Sequence, residues 1–106
     1  MYQLVFYVPG EYVEKVKSAL FNAGAGRIGE YEQCCWQTSG RGQFRPLETS
    51  QPFIGSVNQL ESVEEYKVEM VCDKKLIKAV LAALITSHPY QTPAYSVFEM
   101  KTIEDF

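Results

Sequence analysis

Residues 1–8 read MYQLVFYV, a nearly continuous apolar run in which Leu4, Phe6 and Val8 share one side of an extended backbone and Val5 and Tyr7 the other. Apolar residues on both sides predict a central strand with both faces covered. Pro9-Gly10 ends it. The period then lengthens: Val13, Val16, Leu20 and Ala23 recur at helical spacing, with Glu11 and Glu14 in the first turns, where the helix dipole favours acids. Gly24 is placed as a C-cap, so the pattern predicts a helix over 11–23. A second strand is predicted over 27–38, bent near Gly29.

No period is sustained over 39–62, where Gly40, Gly42, Pro46, Pro52 and Gly55 alternate with Phe44 and Phe53. The stretch predicts a long ordered excursion holding a short hairpin. In a small domain such a loop is usually functional or contact-making. Strict alternation returns over 63–72, with Tyr66, Val68, Met70 and Cys72 against Glu65, Lys67 and Glu69. Asp73 is placed to N-cap a second helix whose apolar face is Leu76, Ile77, Val80, Leu81, Leu84 and Ile85, and Pro89 stops it. A last strand over 94–100 and a short tail over 102–106 complete the chain.

The order β-α-β-loop-β-α-β predicts one ferredoxin-like α+β sandwich over residues 1–106, with both helices on one face of an antiparallel sheet and the excursion between strands two and three. The first strand's two apolar sides imply that the other face is covered as well, by a partner subunit or by the excursion.

Composition narrows the function classes. The 106 residues are 46% apolar and 22% charged, which excludes a disordered chain. A net charge of -3 argues against a nucleic-acid binder, and no run of 18 apolar residues exists to span a membrane. The N-terminus has no basic region ahead of its apolar run, so no secretory leader is expected. Three cysteines form no paired framework and fit a reducing, cytoplasmic setting.

His88, the single histidine, lies between the second helix and the last strand. As a chemical group it offers a metal ligand or proton carrier; as a local one it answers the last helix carbonyls and the helix dipole. The local reading is the more common for a histidine without a helical His or CxxC partner. Cys34 and Cys35 are adjacent, so extended backbone points them apart, and with Cys72 they read as small buried apolar groups. Gly24, Gly26 and Gly29 have GxGxxG spacing, but they follow a helix and open a strand, opposite to a dinucleotide-binding turn. An anion-holding turn with Arg27 is the remaining chemical option there. Arg41 and Arg45 flank Phe44 in a loop too weakly charged for nucleic acid. Trp36, Phe44, Phe53 and Tyr90 read as core or interface aromatics. Glu30, Glu32, Glu61, Glu64 and Glu65 are the available carboxylates; the last three look like a solvated approach to a strand.

Five motifs occur in order: Gly24-Ala25-Gly26-x-Ile28-Gly29-x-Tyr31-x-x-Cys34; Gly40-x-Gly42-x-Phe44-x-Pro46; Pro52-Phe53-Ile54-Gly55; Leu60-Glu61-x-Val63-Glu64-Glu65; and His88-Pro89-Tyr90-x-x-Pro93-Ala94-Tyr95. Together they resemble the PII/CutA-like domain inserted in bacterial Nif-three-like dinuclear-metal proteins, over essentially the whole chain. The His-Pro-Tyr turn alone also resembles CutA, the divalent-ion-tolerance protein. The resemblance implies a ferredoxin-like fold that assembles into trimers. The flanking halves that hold two metals in the long proteins, with their histidines, have no counterpart in this sequence, so their hydrolase or cyclohydrolase labels are not expected to transfer. Gln91 stands where the turn usually carries Glu, which removes a carboxylate from beside His88.

The leading expectation is a non-enzymatic, oligomeric regulatory or ligand-sensing module. Its ligand would sit in a cleft between subunits formed by His88, Tyr90, Cys34, Arg27, Gly26 and Gly29. The alternative is a CutA-type divalent-metal protein or small metal-assisted hydrolase, with His88 and a cysteine as ligands and Glu30 or Glu32 adding a carboxylate. A third reading is a docking domain for a metal-centre protein of the same family.

Overall fold

The computed structural model describes residues 1–106. Strand β1 (Tyr2–Pro9) is followed by a 3₁₀ turn (Gly10–Tyr12) and helix α1 (Val13–Asn22). Strands β2 (Trp36–Phe44) and β3 (Glu61–Cys72), helix α2 (Ile77–Ser87), strand β4 (Tyr95–Glu99) and a terminal 3₁₀ turn (Ile103–Asp105) complete the chain. The sheet has four strands in the order β2-β3-β1-β4, antiparallel throughout. This is the ferredoxin-like α+β sandwich that the element order predicts.

The core follows from the two periodicities. Leu4, Phe6 and Val8 of β1 and Val68, Met70 and Cys72 of β3 are buried toward the helices. Val13, Val16 and Leu20 of α1 and Val80 and Leu84 of α2 close over them. As expected, β1 is central, lying between β3 and β4. Its other side is mixed: Val5 is buried, whereas Tyr7 is exposed.

Three sequence expectations need correction. The second strand does not run over 27–38; it begins at Trp36 and continues to Phe44. The preceding residues are turns, because Gly26, Gly29 and Gln33 take left-handed backbone. Gly26 N–H donates to the Val71 carbonyl and Cys34 N–H to the Gly26 carbonyl, which pins the turns to the end of β3. Gly40 and Gly42, read as loop glycines, pair with Glu65 and Val63 inside a long hairpin. The excursion therefore shrinks to residues 45–60. Asp73 also acts differently: its side chain accepts from Lys75 N–H and its carbonyl from Leu76 N–H, so it caps a turn ahead of α2.

The excursion folds against one end of the sheet. Phe53 meets Tyr12 edge-on at 5.5 Å between ring centroids and also packs near Tyr90. It does not lie over the helix-free face, where Trp36 is 69% and Phe98 57% exposed.

Candidate functional site

At the far end of β1 the ladder to β4 stops at the pair Phe6–Tyr95. The next residue, Tyr7, still donates its N–H to the Ala94 carbonyl at 3.2 Å. Its own carbonyl faces the same way, beyond the reach of β4, and His88 Nε2 meets it at 2.6 Å. The other ring nitrogen, Nδ1, accepts Tyr90 N–H at 3.1 Å. That acceptance fixes the tautomer: the proton is on Nε2, which donates to Tyr7. His88 is only 6% exposed, and its pKa is lowered, chiefly by burial and against the opposing pull of the Tyr7 carbonyl and the Glu65 charge. Its backbone N–H closes α2 on the Leu84 carbonyl, as a C-cap residue does. The ring, however, crosses to β1 rather than turning back on the helix.

Tyr90 packs tilted against the His88 ring, 4.9 Å between centroids, and donates its hydroxyl to Glu65 Oε2 at 2.7 Å. Burial, then the hydrogen bond to Glu65 and its negative charge, push the phenol pKa up, so it stays a donor. Glu65 is thus not part of a solvated approach: strand alternation sets it on the helix-free face, and Tyr90 holds it there with its carboxylate over Gly42. A Cβ at Gly42 would collide with that carboxylate, which is why glycine stands there. Phe44 packs near Tyr90, and Gln91 Oε1 accepts Gln51 N–H at 2.8 Å, stapling the excursion to this turn. Gln91 serves as that staple where the resembling motif has Glu.

The residues expected to share one cleft form two groups. His88 and Tyr90 lie by Tyr7 and Glu65. Gly26, Arg27, Gly29 and Cys34 lie by Val71, four residues along β3 from Lys67, the partner of Tyr7. That separation is on the order of 13 Å along the strand. A single chain does not bring the groups together. Arg27 is exposed, with Glu32 at 3.9 Å.

The metal reading fails a test of fit. Both His88 ring nitrogens are engaged within the chain. Cys35 packs on the core, Cys72 is buried on the helix side of β3 with its thiol pKa pushed up by burial and Asp73, and Cys34 lies at the other end from His88. No three His, Cys, Asp or Glu side chains converge as a metal site requires. Glu30 and Glu32 are exposed in the turn beside Cys34.

One concavity on the sheet was not foreseen. It is a trough of about 590 Å³ on the helix-free face, with Gly40, Gly42, Lys67 and Glu65 along it and Tyr7, Phe44, Tyr90 and Thr92 around it. The alternation over 63–72 already put Glu65, Lys67 and Glu69 on this face. What it lacked was the register that sets the two glycines beside them.

No family model matches the chain. The "GTP cyclohydrolase 1 type 2 homolog" of Bacillus subtilis is 48% identical over 99 residues, covering 93% of this chain and 26% of the relative. Its Mycobacterium leprae namesake is 44% identical over 96 residues, covering 91% and 25%. The chain thus spans about a quarter of the length of the curated relatives it matches. Among solved structures, a Bacillus cereus protein related to NIF3 superposes with a TM-score of 0.82 at 37% identity, over 95% of this chain and 26% of that one. CutA1 from Pyrococcus horikoshii gives 0.70 at 16% identity over 97% and 86%, and the PII-like protein CutA from Nostoc 0.70 at 14% over 99% and 88%. No helix is long and apolar enough to cross a membrane. The chain is therefore a NIF3-like module, similar over nearly its whole length to one quarter of those larger proteins, in the CutA/PII-like form of the ferredoxin-like fold.

Proposed function

We propose that this module is a non-enzymatic, homo-oligomeric regulator that senses a small ligand, working in the cytoplasm. The observation that carries the reading is the helix-free face of the sheet. It combines exposed Trp36 and Phe98 with a ligand-sized trough, and the chain's own excursion leaves it uncovered. Assembly is the economical cover for such a face. The split of the site residues supports the form of that assembly. If the His88–Tyr90 end of one subunit meets the Gly26–Cys34 end of the next, two different patches pair. Such head-to-tail contacts close into rings, and a trimer is the ring that the resemblance to PII and CutA proteins implies.

The relatives' name describes proteins about four times this length, and no acid–base or metal constellation here argues for turnover. The metal-protein alternative is set aside because His88 has no ring nitrogen to offer. Docking to a metal-centre protein of the same family is compatible with the uncovered face, though nothing in the site favours it over self-association.

Sedimentation velocity across the micromolar range tests the assembly. Wild type is expected to sediment as one closed oligomer, and Trp36→Glu or Phe98→Glu as a folded monomer. A wild-type monomer throughout that range would overturn the proposal.

A further inference from the structure

Gly40 stands in the middle of β2 with no reason in its own chain to be glycine. Its φ is not left-handed, and a Cβ there would meet nothing within 4 Å. The contrast is with Gly42, which Glu65 requires, and with Gly24 and Gly26, which combine left-handed backbone with close neighbours. A glycine inside a strand weakens it, and it often marks a place where a ligand or another backbone comes close. At Gly40 that group must come from outside the chain.

The trough above Gly40 states what chemistry it would accept. Lys67 reaches Glu69 only at 4.0 Å, while Gln3 Nε2 holds the same Glu69 oxygen at 3.1 Å. The Lys67 ammonium is half exposed and able to turn over the trough. Glu65 is fixed through Oε2 by Tyr90 and lays Oε1 over Gly42. Lys67 and Glu65 are thus a cation and an anchored carboxylate oxygen two residues apart on one strand face, a spacing on the order of 7 Å. Phe44 and Tyr90, 6.1 Å apart between ring centroids, form an apolar wall at one end. A singly charged ligand would answer only one of the two charges, whereas a zwitterion with an apolar group answers both and uses the wall.

We propose that the trough over Gly40 binds an apolar α-amino acid, its carboxylate on Lys67 Nζ, its ammonium on Glu65 Oε1 and its side chain against Phe44 and Tyr90. This deepens the ligand-sensing reading and rests on it. Because the charges are partly solvated, the ion pairs are individually weak. The expected affinity is therefore that of a pool sensor, on the order of 0.1–1 mM, a few ion pairs and one apolar contact above no binding.

Isothermal titration of the assembled protein tests the assignment with L-phenylalanine and L-leucine as probes. Phenylacetate and phenethylamine, each lacking one charge, are the controls. Both amino acids are expected to bind saturably, at least tenfold tighter than either control. Lys67→Met and Gly40→Val should each weaken binding at least tenfold, with circular dichroism verifying the fold. If Gly40→Val does not fold, Lys67→Met alone decides. Binding that survives Lys67→Met, or controls that bind as well as the amino acids, would overturn the site. Binding that appears only after the oligomer is dissociated would also overturn it, since a second copy would then fill the trough. If neither amino acid binds but the native protein retains another small molecule, the ligand class is wrong and the sensing reading stands. If nothing binds and nothing is retained, both fall.

Discussion

Replacing His88 with alanine removes both hydrogen bonds of the buried ring at once. One partner is the Tyr7 carbonyl at 2.6 Å, which sits where β4 no longer reaches; the other is Tyr90 N–H at 3.1 Å. Each bond contributes a net stabilisation of about 1 kcal/mol, and each partner left unsatisfied out of water costs roughly 1–3 kcal/mol. Water entering the vacated space relieves part of that cost, so the expected loss is roughly 2–4 kcal/mol. For a domain whose whole stability is on the order of 5–15 kcal/mol, this is a large fraction. Urea unfolding at one fixed protein concentration measures it, the concentration being held because assembly shifts the midpoint. His88→Gln separates the two bonds: its amide can donate to Tyr7 but cannot also accept Tyr90 N–H, so it should lose about half as much. Amide exchange at Tyr90 should accelerate in both variants. An alanine variant within about 0.5 kcal/mol of wild type, with Tyr90 still protected, would refute the role given to the ring.

Acidification probes the same ring by another route. Burial lowers the His88 pKa in the folded chain from the ordinary 6.5, so below pH 6.5 the unfolded chain binds more protons and stability falls as pH falls through the folded value. The urea midpoint of wild type should therefore drop over that window, and the gap between wild type and His88→Gln should narrow; a gap that stays constant with pH contradicts the assignment. Gly42→Ala should displace Glu65 and break its bond to Tyr90, lowering stability by roughly 1–3 kcal/mol in thermal unfolding. Gly26→Ala combines a φ of +79° with contact against Phe21 and the Cys34 carbonyl and should cost more, about 2 kcal/mol or above, by the same assay. Trp36 emission should shift to the red on dilution through the dissociation range, since 69% of the residue is exposed in the single chain.

The strands and helices were legible wherever one periodicity held. Val68, Met70 and Cys72 alternate cleanly, and Val13, Val16 and Leu20 repeat at helical spacing, so the core could be listed from sequence. The misplacement of β2 has a physical cause. Residues 36–44 are nearly all exposed and include Gly40 and Gly42, so neither β-propensity nor a buried face announces a strand. Pairing with the long partner β3 supplies what local sequence does not. His88 and Tyr90 could be singled out as notable from their motif, but not the recruitment of Glu65. That contact spans 25 residues and depends on the hairpin register. The separation of His88 from Cys34 was equally invisible, because nothing in residue spacing tells which end of a sheet a turn will occupy.

Native mass spectrometry of freshly purified, untagged protein tests the central claim most directly, because it reads subunit number and any retained small molecule together. An oligomeric ring, three subunits by the expectation above, carrying one additional small mass per subunit or per interface is the predicted spectrum. A bare monomer at micromolar concentration, with no added mass, would contradict both the assembly and the sensing role.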